Sequence, residues 1–318
     1  MKPKASIQPV KKLKNNTTAI LILWSTLLIG TGLSSNDGFQ SKLFDCDYLG
    51  QELPGDIPQK FAPGIVSTDD DDSCFEISAS GDEIVFSREM KIYVIKKDQN
   101  GVWSSPAPLP FSGGEPSLSK DGMKIYFNSR DHFPGAKVPL NVWVTQKSNG
   151  QWVKPSPLGE PVTNQTVHAP SVAGNGNIYA SGIIRLKYID GKYLPPEPLK
   201  PAIKGTHPFI SADESFMIFD KRPMIEGKPA DLFITFRRLD DTWTEPVRLG
   251  EAINTSAMET NASVTPDGKY MFFTRKFDVY WVKADFIQHT KNQVLQRLER
   301  TLVQSSKVLR NAIQGKKR

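Results

Sequence analysis

Apolar and polar residues alternate along most of this chain, and the alternation comes in packets. The plainest is "NASVTPDGKYMFFTR" (261–275): a short run of small and polar residues, a Pro-Asp-Gly turn, then a run dense in aromatics. Weaker copies stand upstream: "CFEISASGDEIVFSR" (74–88), "EPSLSKDGMKIYFNSR" (115–130), "APSVAGNGNIYASG" (169–182) and "HPFISADESFMIFDK" (207–221). Each predicts a short strand, a tight turn and a second strand. A third strand follows each copy: "KIYVIKK" (91–97), "NVWVTQK" (141–147), "IIRLKYI" (183–189), "DLFITFRR" (231–238) and "DVYWVKA" (278–284). Four times a further phrase comes next, with an aromatic, a Pro and a Leu: "GVWSSPAPLP" (101–110), "GQWVKPSPLGEPVT" (150–163), "GKYLPPEPLKPAIKG" (191–205) and "DTWTEPVRLGEAINT" (241–255). Proline has no ladder N–H, so this phrase belongs at the outer edge of a sheet.

Aligned on the turn, Cys74, Glu115, Ala169, His207 and Asn261 occupy one repeat position. They recur at intervals of roughly 40–55 residues, the period of propeller blades built as four-stranded antiparallel sheets. The pattern predicts an all-β, five-bladed β-propeller over residues 45–285. The fifth packet lacks its edge phrase. "YLGQELPGDIPQKFAPGIVST" (48–68) resembles one, so the N-terminal segment is expected to complete the last blade and close the ring, leaving no open edge.

These repeats carry a family resemblance. "FAPGIVST", "HPFISADESFMIF", "ADLFITFRRLDDTWTEPVRLGEAIN", "NASVTPDGKYMFFTR" and "DVYWVKADFI" resemble the TolB-like propellers with Pro-Asp repeats, relatives of the WD-repeat propellers. More closely they resemble exported five-bladed bacterial members. The resemblance covers roughly residues 47–287. It implies an exported binding or scaffold module and brings no catalytic motif with it. Fold alone does not settle function.

The ends differ from the body. Residues 1–16 are basic, and "TTAILILWSTLLIGTGL" (17–33) is uncharged and mostly apolar. Residues 1–35 are expected to be a cleaved signal peptide, with an uncleaved membrane anchor as the alternative. Either places the rest beyond the cytoplasmic membrane, in the periplasm or tethered to that membrane's outer face. The segment 286–318 is basic, with apolar positions at Ile287, Val294, Leu295, Leu298, Leu302, Leu309 and Ile313. That spacing suits an amphipathic helix, packed on the ring or on a partner, or lying on anionic membrane. The formal charge of +6 therefore resides in the tails. The acidic body argues against a nucleic-acid groove. Two cysteines, Cys46 and Cys74, could bridge in an oxidising compartment or stay as free thiols.

Candidate chemistry follows from the repeat. If the first strand of each blade borders a central channel, the aligned residues form a ring at its mouth: Asp72, Cys74, Glu115, His168, His207, Glu259 and Asn261. Glu76, Ser117, Ser171 and Ser263 stand just inside. Such a ring could bind a protein, peptide or envelope glycan as a monomeric module. No cofactor is expected, although His168 and His207 could ligate a divalent metal. The rival reading is a carbohydrate-active hydrolase or lyase. Glu115 and Glu259 would be its acid and base and His207 its proton acceptor. The plainer reading is that these polar side chains line a wet channel and hold backbone. "DDDD" (69–72) lacks the interleaved spacing of a calcium loop and reads as a solvated turn. Trp103, Trp152, Tyr193 and Trp243 recur at one position, which favours packing over sugar stacking.

Overall fold

The computed structural model of the protein describes residues 47–130, 138, 140–162, 165–223 and 227–315, without the side chains of 302 and 308–315. The apolar segment 17–33 and Cys46 lie outside the described residues. Among the described residues no helix is long and apolar enough to cross a membrane.

Five antiparallel sheets of four neighbouring strands follow one another along the chain, the second with a further short strand, Gln151–Trp152, on its third. The first holds Asp72–Ile77, Glu83–Arg88, Lys91–Lys96 and Ala107–Ser112. The second holds Gly114–Leu118, Lys124–Ser129, Asn141–Ser148 and Ser156–Pro157. The third holds Ser171–Val172, Ile178–Ala180, Ile184–Leu186 and Glu197–Pro198. The fourth holds Thr206–Ile210, Phe216–Lys221, Asp231–Phe236 and Val247–Arg248. The fifth holds Glu259–Val264, Tyr270–Arg275 and Asp278–Lys283, and its outer strand is Gln59–Lys60, paired with Trp281 and Tyr280. The innermost strands touch in a cycle, each meeting the next and the fifth meeting the first. The chain is a five-bladed propeller.

The second strands explain why the sheets stack radially. "EIVFSR", "KIYFNS" and "YMFFTR" are buried on both faces, because each blade is covered by a neighbour on either side. The core is accordingly five clusters, one per junction. Between fifth and first blades, Phe272 and Trp281 meet Phe75 and Phe86. The N-terminal segment adds Phe61, whose ring centroid lies 5.0 Å from those of Phe75, Phe272 and Trp281. Between fourth and fifth, the C-terminal helix Phe286–Gly315 seats Val294 and, partly buried, Phe286, Ile287 and Leu298. Its described side chains from Glu299 to Lys307 are exposed.

The structure departs from the sequence pattern in two places. "IIRLKYI" breaks after Leu186, because Tyr188 N–H donates to Asn177 Oδ1 (2.8 Å) and Tyr188–Ile189 pairs with Lys192–Tyr193 in a separate hairpin. The recurrent aromatics do not lie in the outermost strands. Trp103, Trp152 and Trp243 bridge to the tail of the third strand at Lys97, Lys147 and Arg237.

Gly113 and Gly205 precede the inner strands of the second and fourth blades. A Cβ at either would strike the ring of Phe127 or Phe219 and come within 2.9 Å of the backbone oxygen of Asn128 or Asp220. Gly205→Ala should therefore lower stability by about 1–3 kcal/mol, read from urea denaturation. Gly250→Ala, whose Cβ would meet nothing within 4 Å, should stay near wild type.

Candidate site at the channel mouth

The five aligned residues share one backbone conformation. Cys74, Glu115, Ala169, His207 and Asn261 all have φ between +44° and +55°. In four blades this coincides with a register shift between first and second strands. Such a bulge bends the strand and redirects a side chain, and a left-handed non-glycine residue costs roughly 1 kcal/mol. Repeated five times, it turns these side chains toward the axis, where all five line one small cavity.

The next blade's bulge is held by the previous blade's second strand. Glu115 N–H donates to Ser87 Oγ (3.0 Å), Ala169 N–H to Asn128 Oδ1 (2.7 Å), His207 N–H to Ser181 Oγ (3.2 Å) and Asn261 N–H to Asp220 Oδ1 (3.4 Å). These capping residues end the second strands. Extending the repeat alignment through "FSR", "FNS", "ASG", "FDK" and "FTR" would have found them. The fifth counterpart, Thr274, has a buried hydroxyl with no hydrogen-bond partner.

Inside the collar the charges are coupled. His207 Nδ1 lies 2.8 Å from Asp220 Oδ1, and its Nε2 lies 3.4 Å from Glu115 Oε1. Glu115 also accepts from Asn128 Nδ2 and lies 3.8 Å from His168 Nδ1. Burial would push the His207 imidazolium to lower pKa, but hydrogen bonds to Asp220 and Glu115, with their charge, raise it to about 10. Burial likewise opposes the Glu115 carboxylate, and the two histidines and Asn128 outweigh it, holding its pKa well below the usual range. His207 thus stands between two carboxylates that favour its protonated form. Among the described residues no group of three or more His, Cys, Asp or Glu could hold a metal ion.

Several candidates from the sequence serve structure instead. Asp72 is fully buried, accepting from Arg88 Nε (2.6 Å) and from the N–H and hydroxyl of Thr68 (both 2.7 Å). Glu259 is fully buried in the same way, with Arg275 Nε at 2.9 Å and Thr255 Oγ1 at 2.7 Å. Neither lines the collar cavity or the pocket at its mouth. Glu76 accepts Leu118 N–H (2.7 Å), and its burial raises its pKa. Ser117 and Ser171 accept Val172 and Ile210 N–H, and Ser263 donates to Phe75 O. Each crosses a blade junction. Cys74 is a buried free thiol whose sulfur accepts from Asn261 Nδ2 (2.9 Å), and burial pushes its pKa well up.

The collar leaves about 30 Å³ at its axis, room for one or a few waters. Any larger ligand must sit at a mouth. At the mouth beside His207 and Asn261 opens a pocket of about 840 Å³, with Phe233, Phe277, Met258 and Ala230 as apolar wall and Lys204, Lys221 and Arg222 among the polar lining. Sequence reading missed these residues, because the repeat alignment marked only the bulge position and its neighbours as facing the channel.

No family model and no curated protein matches the chain. Among solved structures it is similar to TolB from Acinetobacter baumannii, at 15% identity over 69% of this chain and 59% of that one, with a TM-score of 0.44. It is also similar to a putative TolB from Agrobacterium tumefaciens, at 12% identity over 65% and 70%, TM-score 0.42. An oligogalacturonate lyase in complex with manganese matches at 12% identity over 66% and 76%, TM-score 0.32. At such identities the likeness concerns the fold alone, and the chain spans 59% of the length of the Acinetobacter protein.

Proposed function

We propose that this chain is an exported binding module that captures a protein or peptide partner at the mouth of its propeller. The observation that carries the reading is the mouth itself. A pocket of ligand-binding size opens on a collar too narrow to pass a ligand, and apolar hairpin tips stand on that face. Phe277 borders the pocket and is 50% exposed, and Met90, at the matching turn of the next blade, is 56% exposed. Apolar side chains held out on rigid turns are what a recognition surface needs. Residues 1–35 support export. The hydrolase reading lacks its second carboxylate once Glu259 is tied to Arg275.

Position is tested by photo-crosslinking in the native host. A benzophenone side chain replacing Phe277 should give a discrete adduct, and one at Asp121, on a turn between first and second strands at the other end of the channel, should not. Equal labelling at both positions, or none at 277, overturns the reading.

A further inference from the structure

We infer that the floor of this mouth is a site for a small amphipathic organic anion, a flat apolar body bearing one carboxylate, sulfonate or phosphate. This goes beyond capture of a macromolecular partner, which concerns the rim.

Charge points to the anion. Lys204, Lys221 and Arg222 all line the pocket, and among the described residues none has a carboxylate partner. Lys221 Nζ lies 5.9 Å from the Phe233 ring centroid, and Arg222 Nη2 reaches only Met258 Sδ at 3.7 Å. The carboxylate beside them, Asp220, is already committed to Thr206 Oγ1 (2.5 Å), His207 Nδ1 (2.8 Å) and Asn261 N–H (3.4 Å). His207 stands between Asp220 and Glu115, and the three cations without a described carboxylate partner lie together along the pocket. Unpaired cations beside an apolar wall concentrate the field that draws an anion in, and the Arg222 fork suits a planar or tetrahedral oxyanion.

Thr274 lines the same pocket, and its hydroxyl, shielded from solvent, has no hydrogen-bond partner. The apolar part is set by Phe233, Phe277, Met258 and Ala230. The pocket borders the collar at His207 and Asn261, and its ≈ 840 Å³ is the space of one small molecule.

Two fluorescent probes separate the terms. Anilinonaphthalene sulfonate and N-phenylnaphthylamine share one apolar body and differ by the sulfonate. With the full folded chain, the sulfonate should bind saturably at one site, on the order of ten-fold tighter than the neutral probe. Lys221→Glu with Arg222→Glu should weaken the sulfonate by on the order of ten-fold and leave the neutral probe within about two-fold. Equal binding of both probes, indifference to charge reversal, or no saturable sulfonate binding overturns the inference. A chain that fails here yet still gives the adduct at position 277 loses this inference alone.

Discussion

Arg275→Ala should destabilise the propeller by about 3–5 kcal/mol, measured from urea denaturation at neutral pH. The guanidinium has three tasks. Its Nε donates to Glu259 Oε1 at 2.9 Å, and its Nη2 donates to the carbonyls of Ile253 (2.8 Å) and Ala252 (3.2 Å). Its plane lies over Phe273 and Tyr280, 5.2 and 4.8 Å from their centroids. Removing it leaves Glu259 as an uncompensated carboxylate with no exposed surface. That penalty, rather than the worth of the pair itself, sets the magnitude. A double variant, Glu259→Gln with Arg275→Met, should therefore recover a large part of the loss. Arg88 repeats the arrangement around Asp72, with its Nη2 on Ile65 and Val66 carbonyls, so Arg88→Ala should cost a similar amount. The same measurement tests the functional assignment. Glu259→Gln should change stability and leave probe binding at the mouth unchanged; a Glu259 that touched ligand would do the reverse.

The two buried pairs show where sequence reading stops. Alternation, turn residues and the spacing of Cys74, Glu115, Ala169, His207 and Asn261 made five blades legible, because each blade must bury both faces of its middle strands and the same residue types recur to do it. Of the ring expected from the repeat, Cys74, Glu115, His207 and Asn261 line one cavity, whereas His168 does not. Position in the repeat could not separate them from Asp72 and Glu259, two residues earlier in their strands, which turn away into Arg88 and Arg275. A carboxylate's role depends on which cation meets it, and both arginines lie across a strand pair, 16 residues on in sequence. The pocket was less legible still. Lys221 ends a strand, Arg222 and Phe277 belong to connections whose sequences differ from blade to blade, and only the fold places them around one pocket. Thr274 was hidden for the opposite reason. It fills the same slot as Ser87, Asn128, Ser181 and Asp220, and its lack of a partner becomes visible only once the other four are seen capping the next bulge.

His207→Gln should reduce stability by about 2–4 kcal/mol near pH 6, and the deficit should shrink as pH rises. The imidazolium sits between Asp220 and Glu115, with side-chain exposures of 24%, 3% and 25%. Its pKa of about 10 stands above the ordinary 6.5, so the folded state holds the proton more tightly than the unfolded chain. The stabilisation is complete below pH ~6.5, declines between ~6.5 and ~10, and is gone above. Wild type should therefore lose urea resistance over that window and the His207→Gln variant should not, so the two curves converge toward pH ~10. The depressed pKa of Glu115 works in the other direction, its contribution being present above the ordinary carboxylate value and lost as pH falls. Acid should weaken wild type through Glu115 and alkali through His207, leaving its greatest stability between roughly pH 5 and 6.5. Parallel curves for wild type and variant from pH ~6.5 to ~10 would mean that the imidazolium does not tie the collar together. The inner strands would then owe their closure to the uncharged caps at Ser87, Asn128 and Ser181 alone.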